Sequence, residues 1–142
     1  MMKILIPVDG SDNGLCAVKH AVALSAQMKQ SPQLLLLNVQ WNVAAGNVKL
    51  FINQETINDY YREQGAAALE KARAILDVAH LAYQYHISIG RPAEAIVQYA
   101  EEQKVDHIII GAQGEESLAK LLLGSVTSKV AQMSKIPVTI AR

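Results

Sequence analysis

Two kinds of hydrophobic pattern alternate along the chain. Short apolar runs at residues 4–8, 34–39 and 108–110 are typical of strands buried on both faces of a parallel sheet, and residues 137–141 are predicted to form the final strand. Residues 81–89 instead alternate apolar and polar positions, which predicts a half-exposed strand at a sheet edge. The pattern therefore predicts five strands.

Between these strands, apolar residues recur at helical spacing. We predict four helices. The first runs from Ser11 or Asp12, either of which can act as the N-cap, to about residue 28, and the second from residue 56 to about residue 80. The third begins at Pro92 and the fourth at the Gly124–Ser125 pair. Residue 65 is a glycine, which weakens the middle of the second helix. Residues 40–54 have no periodicity and predict a long loop, of the kind that often forms a lid.

Five strands alternating with four helices predict an α/β fold, with a parallel sheet and helices on both faces. The chain of 142 residues, 51% hydrophobic and 18% charged, suits a single domain over residues 1–142. Its formal net charge is zero and it has no basic block, so we expect no nucleic-acid partner. No apolar run approaches ~20 residues or forms a signal-peptide core, so we expect no membrane partner and a cytoplasmic location. Cys16, the only cysteine, is predicted to be a buried structural thiol.

The candidate chemistry follows the fourth strand. Gly111-Ala112-Gln113-Gly114 is separated by nine residues from Gly124-Ser125-Val126-Thr127, which opens the last helix. Glycines there can admit an anion to the backbone, and a helix start with hydroxyl residues favours negative charge, so we interpret the stretch as a phosphate cradle. Asp9, after the first strand, could bind ribose hydroxyls or a metal-bound water. The alternatives stay open that these glycines are only turns and that Asp9 only caps a helix.

This glycine spacing resembles the nucleotide-binding signature of the universal stress protein family, in its ATP-binding branch. The segment from Lys3 to Ser11, with Pro7 and Asp9, resembles the family's first strand and terminal aspartate. The resemblance implies a Rossmann-like, adenine nucleotide alpha hydrolase-like fold with strand order 3-2-1-4-5, whose ligand crevice lies between the first and fourth strands. It implies these nucleotide-binding residues: Pro7, Asp9, Val39, Gly111, Gly114, Gly124, Ser125, Val126 and Thr127.

The same resemblance implies ATP as the ligand and a homodimer joined through the C-terminal strand, whereas the protein partner stays unidentified. The four histidines lack metal-ligand spacing, so we expect Mg²⁺ or Mn²⁺ to be held mainly by the phosphates. Gln113 stands where family members often carry histidine or arginine, which removes a positive charge near the phosphates. Lys120 and Lys129 do not directly follow the last glycine, so we interpret both as surface lysines.

Three functions remain open at this point. The leading one is an ATP-binding regulatory module of the stress response. Because no catalytic residue is identified, we expect at most weak ATP hydrolysis, and a slow ATPase or nucleotide-dependent enzyme is the first alternative. The second is a nucleotide-free interaction module of the same family.

Overall fold

The structure, a computed structural model, describes residues 1–41, 54–113 and 123–142. Strands and helices alternate along these residues. They are β1 (Lys3–Pro7), α1 (Asp12–Ala26), β2 (Gln33–Gln40), α2 (Gln54–Val78), β3 (Tyr83–Ile89), α3 (Pro92–Glu102), β4 (His107–Gly111), α4 (Ser125–Met133) and β5 (Val138–Ala141).

All five strands are parallel and lie in the order β3-β2-β1-β4-β5. Side chains of alternate strand residues point to opposite faces, so β1 contributes Ile4 and Ile6 to a core beneath α1 and α2, and Leu5 to a second core beneath α3 and α4. The predicted fold class, sheet order and two helical layers are confirmed. In this order the chain reverses direction across the sheet between β1 and β4, which is where open α/β sheets bind ligands.

The boundary between α2 and β3 differs from the prediction. Residue 81 was assigned to the strand, but β3 begins at Tyr83. His80 adopts a left-handed conformation with φ of 56°, and the N–H of Leu81 returns to the carbonyl of Leu76. This left-handed closure of the helix end needs two residues that the periodicity had given to the neighbouring elements.

Gly65 does not interrupt α2, which runs unbroken through it. A Cβ on Gly65 would lie only 2.5–2.9 Å from three side-chain carbons of Ile87 on β3. The glycine therefore lets the helix approach the edge strand closely, so its effect is on packing as well as on helix propensity.

Cys16 is only partly buried, so the prediction of a buried thiol is wrong in degree. The buried stripe of α1 passes through Gly14, Ala17, Val18 and Ala21, and position 16 lies beside this stripe. Cys16 packs against the rim of the core beneath α1.

Some predictions fall outside the described residues. They are most of the loop predicted at residues 40–54, together with Gly114 and Lys120. Among the helices that the structure describes, none combines the length and the apolar character needed to cross a membrane.

Candidate functional site at the carboxyl edge of the sheet

Pro7 opens the sheet at the reversal point. β1 pairs with β2 along its whole length, but its register with β4 covers only Ile4 and Leu5. The carbonyl of Lys3 accepts a hydrogen bond from Asp106 on the β4 side, and alternate residues of a parallel strand face the same neighbour, so position 7 also faces β4. Because proline has no N–H, it cannot donate a ladder bond to β4. The pairing of β1 with β4 accordingly ends before the carboxyl ends of the two strands.

The first turn of α1 occupies part of this opening. A Cβ on Gly111 would overlap the backbone carbonyl of Asn13 and lie 3.3 Å from the nitrogen of Gly14. A Cβ on Gly14 would in turn lie 3.6 Å from Oδ1 of Asp9. Asp9, Gly14 and Gly111 are therefore close neighbours at the start of α1. We had interpreted Gly111 as space for an anion, but that space belongs to α1, so the reason for glycine here is helix packing.

Asp9 lies exposed beside the N-terminus of α1. Its Oδ1 accepts the N–H of Ser11 at 2.9 Å and also the Ser11 hydroxyl. Ser11 is the N-cap and accepts the N–H of Gly14 at 3.4 Å, and Asp12 adds a second acidic group in the first turn. The positive end of α1 is thus already matched by oxygen acceptors and negative charge, which leaves it little attraction for another anion.

The N-terminus of α4 is different. Its N-cap is Gly124, which has no side chain to cap the helix, and the first turn of α4 contains no acidic residue. The first intrahelical bond runs from Ser128 N–H to the Gly124 carbonyl, so the N–H groups of Ser125, Val126 and Thr127 precede it without intrahelical acceptors. A bond of 2.8 Å from Gly124 N–H to the Ala112 carbonyl holds this turn beside the end of β4. Among the described residues, these backbone donors at the carboxyl edge of the sheet thus have neither a capping side chain nor an acidic residue of their own turn beside them.

The two hydroxyl groups of this turn have different surroundings. Ser125 is exposed, whereas Thr127 is buried and its hydroxyl donates to the Gly111 carbonyl at 2.7 Å. We had expected either hydroxyl to be available for a phosphate. The Thr127 hydroxyl instead ties α4 to β4, and only its backbone N–H belongs to the open turn.

Val39 contributes backbone groups at the end of β2. Residue 37 faces β1, because the Leu37 carbonyl accepts the N–H of Val8, so Val39 turns its N–H and C=O to the same side, beyond the end of β1. No hydrogen bond joins these two groups to another described residue. Val39 therefore offers an adjacent donor and acceptor at the rim of the crevice.

A buried amide that hydrophobic periodicity does not predict supports this corner. The Asn38 side chain, only 2% exposed, donates to the Val8 carbonyl at 2.9 Å and accepts from the Gln40 amide at 2.6 Å. The Val8 carbonyl is thereby satisfied by a side chain where a longer ladder would use the Val39 N–H. An asparagine directly after four leucines was the available signal, because a polar group in a buried strand needs a specific partner.

The structure thus brings Pro7, Asp9, Val39, Gly111 and the Gly124–Thr127 turn to one edge of the sheet. Gln113 is partly buried and follows this edge directly. Lys129 is a surface residue, as predicted, with its side chain 62% exposed and 3.9 Å from Glu94. Within the described ranges, no three His, Cys, Asp or Glu side chains cluster closely enough to hold a metal ion.

The family assignment follows from comparison with known sequences. The sequence profile of the universal stress protein family matches residues 1–142. The chain belongs to the universal stress protein family. Among curated relatives, universal stress protein MJ0531 of Methanocaldococcus jannaschii is 30% identical over 146 residues, which cover 99% of this chain and 81% of the relative.

Solved structures of universal stress proteins share the fold. The structure of MJ0577 from the same organism is 30% identical with a TM-score of 0.81, and the match covers 98% of this chain and 94% of the MJ0577 chain. UspA of Lactobacillus plantarum is 26% identical with a TM-score of 0.83, covering 99% and 97%. The same fold occurs in a universal stress protein in complex with cAMP, which is 24% identical with a TM-score of 0.67; the match covers 99% of this chain and 96% of that one. It also occurs in a universal stress protein from Archaeoglobus fulgidus in complex with dAMP, which is 20% identical with a TM-score of 0.65; the match covers 100% of this chain and 98% of that one.

Proposed function

We propose that this universal stress protein is a cytoplasmic ATP-binding module, in which nucleotide occupancy regulates its partner interactions in the stress response. The observation that carries the proposal is the contrast between the two helix N-termini at the crevice. α1 is capped by Ser11 beside two acidic residues, whereas α4 has neither a capping side chain nor an acid in its first turn. A phosphate chain would therefore bind at the Gly124–Thr127 turn, where backbone donors and the helix dipole favour negative charge.

The other groups of the crevice fit the remaining parts of a nucleotide. An adenine ring presents an amino donor beside a ring-nitrogen acceptor, which matches the adjacent C=O and N–H of Val39. Asp9 is exposed and its carboxylate can accept hydrogen bonds from ribose hydroxyls. Asp9 follows β1, and β1 lies between β2, which carries Val39, and β4, which adjoins the α4 turn. The ribose of a nucleotide likewise lies between its base and its phosphates.

We further propose that Mg²⁺ or Mn²⁺ enters with ATP, bound mainly by phosphate oxygens and water, since these cations need oxygen ligands. Rapid phosphoryl transfer needs positioned charge-neutralising groups as well as a bound phosphate chain. The described crevice supplies backbone donors and one carboxylate. This composition favours holding ATP, with at most weak hydrolysis.

Substitutions at Gly124 test the proposal. The φ of Gly124 is −62°, so a side chain there causes no backbone strain. We expect Gly124→Asp to weaken ATP binding at least tenfold in calorimetry with Mg²⁺, because the carboxylate would cap α4 and repel phosphate. Gly124→Asn is the matched control: it can cap α4 without a negative charge, and we expect it to retain more binding than the aspartate variant.

Thermal unfolding without nucleotide separates binding from folding. Both variants should unfold within a few tenths of a kcal/mol of the parent protein, because Asp, Asn and Gly differ little as N-caps. Unchanged ATP affinity in Gly124→Asp would contradict phosphate binding at this helix. Absence of both heat and thermal stabilisation at millimolar ATP in the parent protein would favour a nucleotide-free module instead.

A further inference from the structure

β3 is an edge strand whose own residues lack the usual protection against pairing. It runs from Tyr83 to Ile89 and contains neither a charged residue nor a proline, and Tyr85 and Ile89 are 49% and 43% exposed. At the opposite edge, β5 is four residues long and Arg142 follows it. Edge strands usually avoid unwanted pairing by being short, by carrying charges or by containing proline. By these criteria β3 is the more open of the two edges.

The hydrogen-bonding direction of β3 can be assigned from its end. The N–H of Gly90 donates to the Gln40 carbonyl of β2 at 2.9 Å, so residues 84, 86 and 88 also turn their backbone groups towards β2. The alternate residues Tyr83, Tyr85, Ile87 and Ile89 turn their N–H and C=O away from the sheet. Among the described residues, none bonds to these outward groups.

The strand is complementary to itself in reverse. We propose that β3 pairs antiparallel with β3 of a second copy of this chain, about a two-fold axis at His86. In this register Tyr83 lies opposite Ile89 of the other copy and Tyr85 lies opposite Ile87, and these are the residues with outward backbone groups. Aromatic and β-branched residues are favourable cross-strand pairs. Gln84 lies opposite Ser88, and His86 lies opposite itself.

The side chains of β3 are held in place on the two faces of the sheet, so they leave the edge open. On the α2 face, the Arg73 guanidinium lies 4.3 Å from the centre of the Tyr85 ring, and the Tyr83 hydroxyl donates to Asp77 at 2.9 Å. On the α3 face, His86 stacks on Tyr99 with ring centres 5.1 Å apart.

The α3 face also has a groove beside the strand, which is lined in part by Ser88 and Ala95. These small side chains leave space for the side chains of an added strand. The inferred contact uses neither the nucleotide crevice nor β5, so it is independent of the proposed function.

Disulfide trapping tests the register. In the proposed pair, residue 86 of one copy lies about 4.5–5.5 Å from residue 86 of the other, measured between Cα atoms, which suits a disulfide. Residue 84 is displaced from its own counterpart by four positions, or roughly 13 Å, which a disulfide cannot span. We therefore compare His86→Cys with Gln84→Cys, both in a Cys16→Ser background.

Under mild oxidation at micromolar protein, we expect His86→Cys to form cross-linked dimers at least tenfold faster than Gln84→Cys. Adding Tyr85→Pro to the His86→Cys chain should abolish the fast reaction, because it removes an outward N–H and leaves the β2 ladder intact, with circular dichroism confirming the fold. Equal rates for the two cysteine positions, no cross-link at position 86, or a fast reaction that survives Tyr85→Pro in a folded chain would each overturn the proposal.

Discussion

Thr127 shapes the candidate site from inside the protein. Its buried hydroxyl donates to the carbonyl of Gly111, and this bond attaches the first turn of α4 to the end of β4. We expect Thr127→Val to reduce the free energy of unfolding by about 1–3 kcal/mol, because it leaves a buried carbonyl without its donor at almost constant volume. Thr127→Ser keeps the hydroxyl and is the control. Urea unfolding of the two variants measures the difference, and equal stability would show that the bond contributes nothing.

His107 makes stability depend on pH at the opposite edge of the sheet. Burial, and secondarily the charge of His20, lower the pKa of His107 from its ordinary value of 6.5, and its Nε2 contacts the Thr139 hydroxyl. The unfolded chain therefore binds a proton at a higher pH than the folded one. The stabilisation is complete above pH 6.5 and is lost as the pH falls through the lowered pKa.

We expect His107→Gln to flatten the stability profile below about pH 6.5, where the unfolded chain takes up the proton first. His80→Asn is the control, because His80 is exposed and asparagine tolerates its left-handed backbone. Chemical unfolding at a series of pH values measures both variants. If the stability of His107→Gln depended on pH as steeply as that of the parent protein, His107 would not be the source of the pH dependence.

Single-residue roles show where sequence reasoning reached its limit. Gly111 and Thr127 were placed at a strand end and a helix start by the sequence pattern, whereas Pro7 was assigned to the site by the family resemblance. Their functions there were not predictable, since the Cβ position of Gly111 is filled by Asn13, which is about a hundred residues earlier in the sequence. Only the folded chain shows that these residues shape the crevice.

At the scale of elements, α2 and β3 are matched through the contact between Gly65 and Ile87. Alanine at position 65 should favour the helix by about 1 kcal/mol, but its Cβ would collide with Ile87 at a cost of about 1–3 kcal/mol. We therefore expect Gly65→Ala to be neutral or destabilising, although α2 is a long helix.

The double variant separates the two effects. In an Ile87→Ala background the collision disappears, so Gly65→Ala should become stabilising by up to about 1 kcal/mol. Thermal or urea unfolding of the four proteins of this cycle gives the coupling free energy. A coupling free energy of zero would show that the contact has no energetic consequence.

The elements themselves were predictable from periodicity, including the half-exposed character of β3. The errors occurred at element ends, as at His80, where one left-handed residue decides the boundary. The order of the strands was supplied by the family resemblance, because periodicity does not determine which strands are neighbours. The Asn38–Val8 hydrogen bond was missed for the same reason, since Val8 follows β1 whereas Asn38 lies on β2.

At the scale of the whole molecule, the two sheet edges have different roles in our proposals. β3 is long, uncharged and complementary to itself, whereas β5 is short and its Val138 and Ile140 pack against the core beneath α3 and α4. We propose that a homodimer forms through β5, as the family resemblance implies, and that β3 provides a separate contact between copies. If both contacts form, assemblies larger than a dimer should appear as the protein concentration rises.

The β5 contact can be tested by removing one backbone donor. The Ala141 carbonyl accepts the N–H of Ala112, so residues 139 and 141 face β4 and Ile140 turns its N–H outward. Ile140→Pro should therefore weaken the β5 dimer at least tenfold without removing a bond to β4, whereas Ile140→Val retains the N–H and should behave like the parent protein. Sedimentation at micromolar concentration measures the mass of each variant against the 15.4 kDa of one chain.

Two outcomes would contradict this contact. A parent protein that sediments only at the mass of one chain would contradict the dimer. An Ile140→Pro variant that associates as strongly as Ile140→Val would show that β5 is not the contact.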